Sequence, residues 1–206
     1  NNKFNKDNEY FKNYLIENSR TYKRDIISKI ITKYKNYYNE AIDSNININQ
    51  TIEHIKNNKP LIINPILHNF KYNIIVSCDL IIKKHLFIKI FDKINNINLN
   101  NIQKNDYIII NIIPETCNFK SNMKTICNND IILFNKCCLY VFNSALKQYI
   151  YRNDIGFFIC KDYKYKNNIL DKKENIALII FDKFIINKVI NSLNWIKRLK
   201  KNVYVT

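Results

Sequence analysis

The sequence predicts a mixed α/β (α+β) domain, with a central mixed sheet of four to five strands flanked by helices and a helical segment at the N-terminus. Short apolar runs rich in isoleucine and aromatic residues alternate with longer segments in which apolar residues recur every three or four positions. The chain has 206 residues, of which 47% are hydrophobic and 13% aromatic. That is enough for one domain with its own core, with or without a helical appendage.

The first predicted element is helical. Residues 8–42 carry apolar side chains at helical spacing, which predicts one long or two shorter amphipathic helices. An Asn-rich stretch follows at residues 44–50, so we divide the chain into a basic helical segment, residues 1–48, and a main domain, residues 49–206. The basic side chains of the first segment form either a solvated face or a phosphate-contacting face. They include Lys23, Arg24, Lys29, Lys33 and Lys35.

The first half of the main domain is predicted to be rich in strands. Two apolar runs each hold one polar residue, Asp79 in the first and Asn111 in the second. The predicted elements are a helix at 51–56, a strand at 61–67 broken by Pro65, a strand at 72–82, a strand or helical turn at 85–91, and a strand at 106–113.

The second half is predicted to alternate between helices and strands. Its clearest helix spans residues 132–151, and a closing helix at 185–201 has a basic end that suits a helix C-terminus or a phosphate backbone. Residues 116–129 and 161–173 are predicted to be loops, and residues 156–160 and 176–181 to be strands. Trp195, in the closing helix, is expected to lie in the core rather than to stack on a base.

The charge balance favours a polyanionic partner. The chain has 33 lysines and arginines against 17 acidic residues, a formal net charge of +16. Such an excess attracts nucleic acid or an anionic membrane surface. The alternative is codon drift in an AT-rich genome, which adds lysine without selection for binding.

The cysteine pattern indicates an intracellular protein in a reducing compartment. There are six cysteines, without any CxxC pair, and only three histidines, so a zinc or iron–sulfur site is not expected. Cys78, Cys137, Cys138 and Cys160 lie in apolar segments and are predicted to be reduced thiols in the core. No apolar run approaches the ~20 residues of a membrane span, and residues 1–6 do not resemble a signal peptide.

Asp79 and Asn111 are the best candidates for a functional site. A buried polar group without a partner costs about 1–3 kcal/mol, so each is expected to have one. Adjacent strands would bring the two side by side. A metal-dependent phosphodiesterase would have an acid at position 111 and a lysine at position 113. The alternatives are that Asp79 caps a turn or pairs with a lysine, and that Asn111 reflects drift.

Several strings, in order, resemble the PD-(D/E)xK nuclease superfamily, and in particular its RecB-like exonuclease branch, as in viral-type members. Cys78-Asp79-Leu80-Ile81 resembles the segment with the first metal-binding Asp, and Tyr107–Ile113 resembles the strand with the acid-x-Lys motif. The string Cys137-Cys138-Leu139-Tyr140, followed by Ala145-Leu146, resembles the helix that offers Gln and Tyr to the site. Thr51-Ile52-Glu53 resembles the entry helix, and Asn194–Lys197 the closing helix. The resemblance covers residues 50–204 and implies a restriction-endonuclease-like fold.

The departures from the family pattern imply a disabled or weakened site. The second acid is Asn111, the motif lysine is Ile113, and the helix glutamine is Cys137. Only Asp79 and Glu53 remain as metal ligands. An amide supplies no negative charge to a divalent cation, and isoleucine cannot position a water.

An active, rearranged site would draw on neighbouring residues. It would use Asp79 with Glu115, which alternates onto the face of Ile113, and Lys136 from the next helix, with Lys120 as a poorer substitute. Such a site would need Mg²⁺ or Mn²⁺. An inactive module would need no cofactor.

Three functions agree with these residues. The first is an inactive nuclease-fold module that binds nucleic acid, DNA rather than RNA, or forms part of a nucleic-acid-processing assembly with other proteins. The others are an active metal-dependent exo- or endonuclease and a protein-interaction scaffold. The expected nucleic-acid contacts are Lys83, Lys84, Lys120, Lys197, Arg198, Lys200 and Lys201.

Overall fold

The computed structural model describes residues 2–38, 42, 47–91, 99, 106–122, 125–150, 154–166, 168–169 and 176–203, with the side chains of residues 2–12 and 200–203 left out. The helices are α1 (Asn2–Lys35), α2 (Ile48–Lys56), α3 (Lys84–Ile90), α4 (Asp130–Leu146) and α5 (Lys183–Val203). The strands are β1 (Leu61–Ile63), β2 (Ile66–Asn69), β3 (Ile74–Ser77), β4 (Leu80–Lys83), β5 (Tyr107–Asn118), β6 (Ile155–Tyr165), β7 (Asn168–Ile169) and β8 (Ala177–Ile180). The predicted mixed α/β class is confirmed.

The main sheet has six strands in the described part of the chain, in the order β1-β4-β5-β6-β7, with β8 also paired to β6. The β5–β6 pair is parallel and the others are antiparallel. Parallel neighbours require a crossover connection, and α4 lies in the one between β5 and β6. A separate hairpin joins β2 and β3.

The central strands are buried on both faces, which explains the unbroken apolar run of β5. Alternate residues point to opposite sides of a strand. Ile109 and Ile113 pack in one core with Leu139 and Phe142 of α4. Ile108, Ile110 and Ile112 pack in a second core with residues of α1 and α3, which include Ile30, Tyr34, Leu86 and Phe87.

Helix α1 is therefore part of the folded core. Two of its lysines also contact the rest of the chain, and Lys33 donates to the carbonyl of Ile90 at 2.7 Å, at the end of α3. The division of the chain at residue 48 stays a prediction.

The run predicted as one strand at 72–82 is two strands in different sheets. It breaks at Cys78 and Asp79, between β3 and β4. The break arises because Asp79 turns its carboxylate to the main chain of β5, where Ile112 N donates to it at 2.6 Å. Residues 85–91 lie mostly in helix α3, one of the two alternatives that the sequence left open.

The two predicted loops at 116–129 and 161–173 begin with strand. β5 continues to Asn118 and β6 to Tyr165, with Cys117 opposite Tyr163. Both side chains are buried, whereas Asn118 is exposed, so the extension alternates as an amphipathic strand does.

The prediction that Cys160 is a reduced thiol is wrong in this structure. Cys160 forms a disulfide with Cys117 on the neighbouring strand, with the two Cα atoms 6.3 Å apart, a separation that suits such a bond. Cys78, Cys137 and Cys138 are free, as predicted, but only Cys78 is buried, whereas Cys137 and Cys138 are half-buried. In the described ranges, no helix combines the length and apolar character needed to cross a membrane.

The one glycine of the chain lies in a close contact between the sheet and α4. A Cβ built on Gly156 would lie 2.6 Å from Leu139 Cδ2 and 3.0 Å from Ile109 Cγ1. Both neighbours are buried. We expect Gly156→Ala to lower the free energy of unfolding by about 1–3 kcal/mol, because the added methyl overpacks the core. Urea denaturation measures the loss.

The control is the same substitution in a Leu139→Ala background, which removes the clashing methyl groups. There Gly156→Ala should cost clearly less. An equal cost in both backgrounds would mean that overpacking against Leu139 is not the cause.

Candidate functional site

Asp79 and Asn111 lie side by side at one end of the β4–β5 pair. Leu80 is opposite Ile110 in the antiparallel register, so Asp79 and Asn111 follow at the next position. The main-chain N of Asp79 donates to Asn111 Oδ1 at 3.3 Å. The two polar residues singled out in the sequence are thus partners, and the Asn111 amide has a structural role.

The carboxylate of Asp79 is bound by a lysine from α1. Lys23 Nζ lies 2.7 Å from Oδ1 and 3.0 Å from Oδ2, and Ile112 N donates to Oδ2. The Asp79 side chain is 13% exposed and that of Lys23 is 37% exposed. The alternative in which Asp79 pairs with a lysine is the one observed. The sequence did not identify Lys23 because the two residues lie 56 positions apart and only packing brings them together.

Two titratable side chains near the Lys23–Asp79 pair, Cys78 and Tyr22, have raised pKa values because they are buried. Burial, followed by the charge of Asp79, holds the pKa of the Cys78 thiol well above its usual value. The pKa of Tyr22, which precedes Lys23 in α1, is raised to about 12 by burial and by the charge of Asp162. The Tyr22 hydroxyl is buried and has no hydrogen-bond partner among the described residues. The Cys78 thiol and the Tyr22 hydroxyl therefore stay protonated near neutral pH.

The residues predicted to bind a divalent cation have other partners in this structure. Mg²⁺ and Mn²⁺ bind several oxygen ligands, among them carboxylates whose charge is available. Here Asp79 is neutralised by the Lys23 ammonium, Asn111 is engaged with the main chain, and Ile113 is buried in the core. Within the described residues, no three side chains of His, Cys, Asp or Glu are grouped to hold a metal ion. Asp79, Glu53 and Glu115 therefore do not form a metal-binding triad.

The two other predicted acids lie in different environments. Glu53 is exposed on α2. Glu115 is half-buried within the irregularity of β5 between Ile113 and Thr116, and its Oε2 atom is buried without a hydrogen-bond partner in the described ranges. The irregularity removes the simple alternation that predicted Glu115 on the face of Ile113.

Lys136 is buried in α4 and directed at the loop before that helix. Its Nζ donates to Ile126 O at 3.1 Å and to Asn128 Oδ1 at 2.7 Å. Burial, followed by the charge of Lys120, lowers its pKa to about 8. Lys136 thus has structural partners of its own, and the structure does not show it at Asp79. Cys137, also predicted at the site, instead faces a groove between α4, α5 and β3.

The predicted nucleic-acid contacts differ in their exposure. Lys83 is 5% exposed and donates to Asn58 Oδ1 at 3.1 Å, so it is not placed to meet a phosphate. Lys84 is half-buried and Lys120 is exposed. Lys197 and Arg198 are exposed on α5. The side chains of Lys200 and Lys201 lie outside the described residues.

The expectation that Trp195 lies in the core is wrong. Its side chain is 62% exposed on α5, on the same side of the helix as Phe184, which is 49% exposed. The buried residues of α5 are Ile185 and Val189, which lie earlier in the helix and about 80–120° around it from Trp195. The helical spacing in the sequence did not distinguish these faces.

No protein-family model matches the chain, and no curated protein matches it with significant similarity. Fold and site together define a basic α/β domain with a lysine–carboxylate pair at the end of its sheet. The nuclease resemblance stays a prediction.

The two partners of Asp79 should contribute unequally to stability. Asp79→Ala leaves the buried N–H of Ile112 without an acceptor, so we expect a loss of about 1–3 kcal/mol in the free energy of unfolding. Lys23→Met removes a partly exposed ammonium and should cost less, about 0–1 kcal/mol. Asp79→Asn keeps an acceptor and should fall between the two. Chemical denaturation of the variants checks the order, and an Asp79→Ala variant as stable as wild type would contradict it.

Lys136 should make stability depend on pH. Its pKa is about 8 in the folded chain and about 10.4 in the unfolded chain, so the unfolded chain binds the proton more tightly between these values. The free energy of unfolding should therefore rise over this pH window through the Lys136 contribution. Lys136→Met should remove that contribution, as measured by denaturation at pH 7.5 and 10, whereas Lys161→Met, at an exposed position, should leave it. An unchanged pH dependence in Lys136→Met would exclude the effect.

Proposed function

We propose that this chain is a non-catalytic nuclease-fold module that binds single-stranded nucleic acid, DNA in preference to RNA, through helix α5. The observation that carries the proposal is the composition and exposure of that helix. It holds six basic residues and no acidic residue: Lys183, Lys188, Lys197, Arg198, Lys200 and Lys201. Its exposed tryptophan, Trp195, lies next to the basic C-terminal part.

These features supply the two interactions that a single strand needs. Lysine and arginine neutralise phosphates without reading sequence, and release counterions on binding. An aromatic side chain open to solvent stacks on an unpaired base, which duplex DNA does not offer. Lys197 and Arg198 follow Trp195 closely in the helix, and all three are exposed. The net charge of +16 adds long-range attraction.

The absence of catalysis is part of the proposal and depends on the Lys23–Asp79 pair. A nuclease of the resembled family needs its first carboxylate to coordinate the cation. Here that carboxylate, Asp79, accepts a hydrogen bond from the Lys23 ammonium at 2.7 Å. A single positive charge held by the protein replaces the cation electrostatically, but it cannot activate a water for attack on phosphorus.

The binding test is a titration of fluorescein-labelled oligo(dT) by anisotropy at several salt concentrations. Trp195→Ala should weaken binding by about 1–3 kcal/mol because the stacking interaction is removed. Lys197→Gln with Arg198→Gln should lower the slope of log affinity against log salt by roughly 0.7 for each phosphate that the variant no longer neutralises.

The matched control removes two charges elsewhere, with Lys71→Gln in the β2–β3 turn and Lys166→Gln in the β6–β7 turn. Both residues are exposed, so general charge is reduced equally while α5 stays intact. Binding that is insensitive to salt, or equal losses in control and α5 variants, would contradict the use of α5.

Catalysis is tested separately by incubating labelled single- and double-stranded DNA with Mg²⁺ or Mn²⁺. We expect no cleavage above that of an Asp79→Ala variant. Cleavage that both a chelator and Asp79→Ala abolish would establish an active nuclease instead and overturn this part of the proposal. Failure to bind any nucleic acid would favour a protein-interaction scaffold.

A further inference from the structure

A groove of about 590 Å³ runs between the β2–β3 hairpin and α5, with α4 as its floor. Phe134 and Val141 of α4 contribute to the floor, and Lys188 and Leu193 of α5 form the far wall. All four residues of β3, Ile74–Ser77, line the near wall. This surface lies apart from the Asp79 site and from Lys197 and Arg198.

The groove follows the edge of β3. Successive strand residues point to opposite faces, so a groove that touches four in a row must run along the edge. Among the described strands, β3 pairs only with β2. The bond from Cys78 N to Pro65 O sets the alternation of the hairpin ladder, which turns the N–H and C=O groups of Ile75 and Ser77 away from β2.

This edge lacks the usual protection against further pairing. Exposed edge strands normally carry charged side chains, proline or a bulge. The sequence of β3 is Ile-Ile-Val-Ser, and its register with β2 is regular. Ile75 is 67% exposed, and Phe134 across the groove is also 67% exposed. A strand laid along β3 would cover both.

The charge of the chain as a whole favours an acidic occupant of the groove. Among the described lining residues, Lys188 is the one basic and Asp130 the one acidic side chain, so these two offset each other. The preference comes from the net charge of +16 and from α5, which contains no acidic residue. Two copies of a chain with a net charge of +16 repel each other, which disfavours self-pairing through this edge. An acidic segment is instead attracted by the positive charge of the chain.

We propose that the groove binds an extended, acidic segment of a partner protein, which adds to β3 as a third strand and places alternate apolar side chains against α4. Main-chain hydrogen bonds to β3 supply affinity, and the apolar floor with Lys188 supplies selectivity. The inference does not rest on the nucleic-acid function.

The probe is a fluorescein-labelled peptide, Glu-Val-Asp-Ile-Glu-Val-Asp, titrated with the full chain by anisotropy. We expect saturable binding that the same peptide with N-methylated valines and isoleucine does not reproduce, because methylation blocks the hydrogen bonds of one strand edge. Ile75→Pro, which removes an outward N–H, should weaken binding by roughly tenfold or more. Equal affinity for the two peptides, or no binding of the first by wild-type protein, would overturn the proposal.

A matched pair of charge variants tests the acidic preference on the same helix. Lys188→Gln should weaken peptide binding severalfold, whereas Lys183→Gln, on α5 but outside the groove, should not. Equal effects of the two substitutions would contradict the preference for an acidic segment.

Sedimentation of the chain alone tests whether a second copy binds instead. A concentration-dependent dimer that Ile75→Pro abolishes would show that a second copy occupies the edge of β3, and would overturn the proposal.

Discussion

Burial of β5 on both faces is the constraint on which the rest of this structure depends. Its side chains alternate between two cores, so each face of the sheet needs its own layer of helices. Helix α4 covers one face as the crossover between the parallel strands β5 and β6. The other face is covered by α3 and by α1, which is why the N-terminal helix packs on the main domain.

The position of α1 decides the chemistry of the Asp79 site. Packing of Ile30 and Tyr34 on the sheet brings Lys23, two turns before Ile30 in the helix, to the end of β4. The ammonium satisfies a carboxylate that is mostly buried, and Ile112 N satisfies it further. The site is therefore built from the same contacts that hold α1 to the domain.

The net charge of the chain is larger than the charge on its exposed surface, because several lysines are buried or paired within the fold. Lys83 and Lys136 are buried with partners of their own, while Lys23 and Lys33 connect α1 to the rest of the fold. These four lysines contribute to the stability of the fold through their contacts within the chain. The exposed charge of α5 is different, because its helix contains no acid to offset it. The exposed basic residues of α5, rather than the net charge of the whole chain, are therefore the charge that a polyanion would meet.

Local patterns in the sequence determined the fold class and the helical character of α1, α4 and α5, because periodicity is a local property. Asp79 and Asn111 could meet only if their two strands pair, and that pairing is a property of the tertiary structure. Tertiary structure alone decided the Lys23 partner of Asp79, the Cys117–Cys160 bond, the break after β3 and the exposure of Trp195. Each of these depends on which distant surfaces meet, and a helical or strand period does not encode that. The same limit applies to Glu115, which lies within an irregularity in the pairing of β5 with β6.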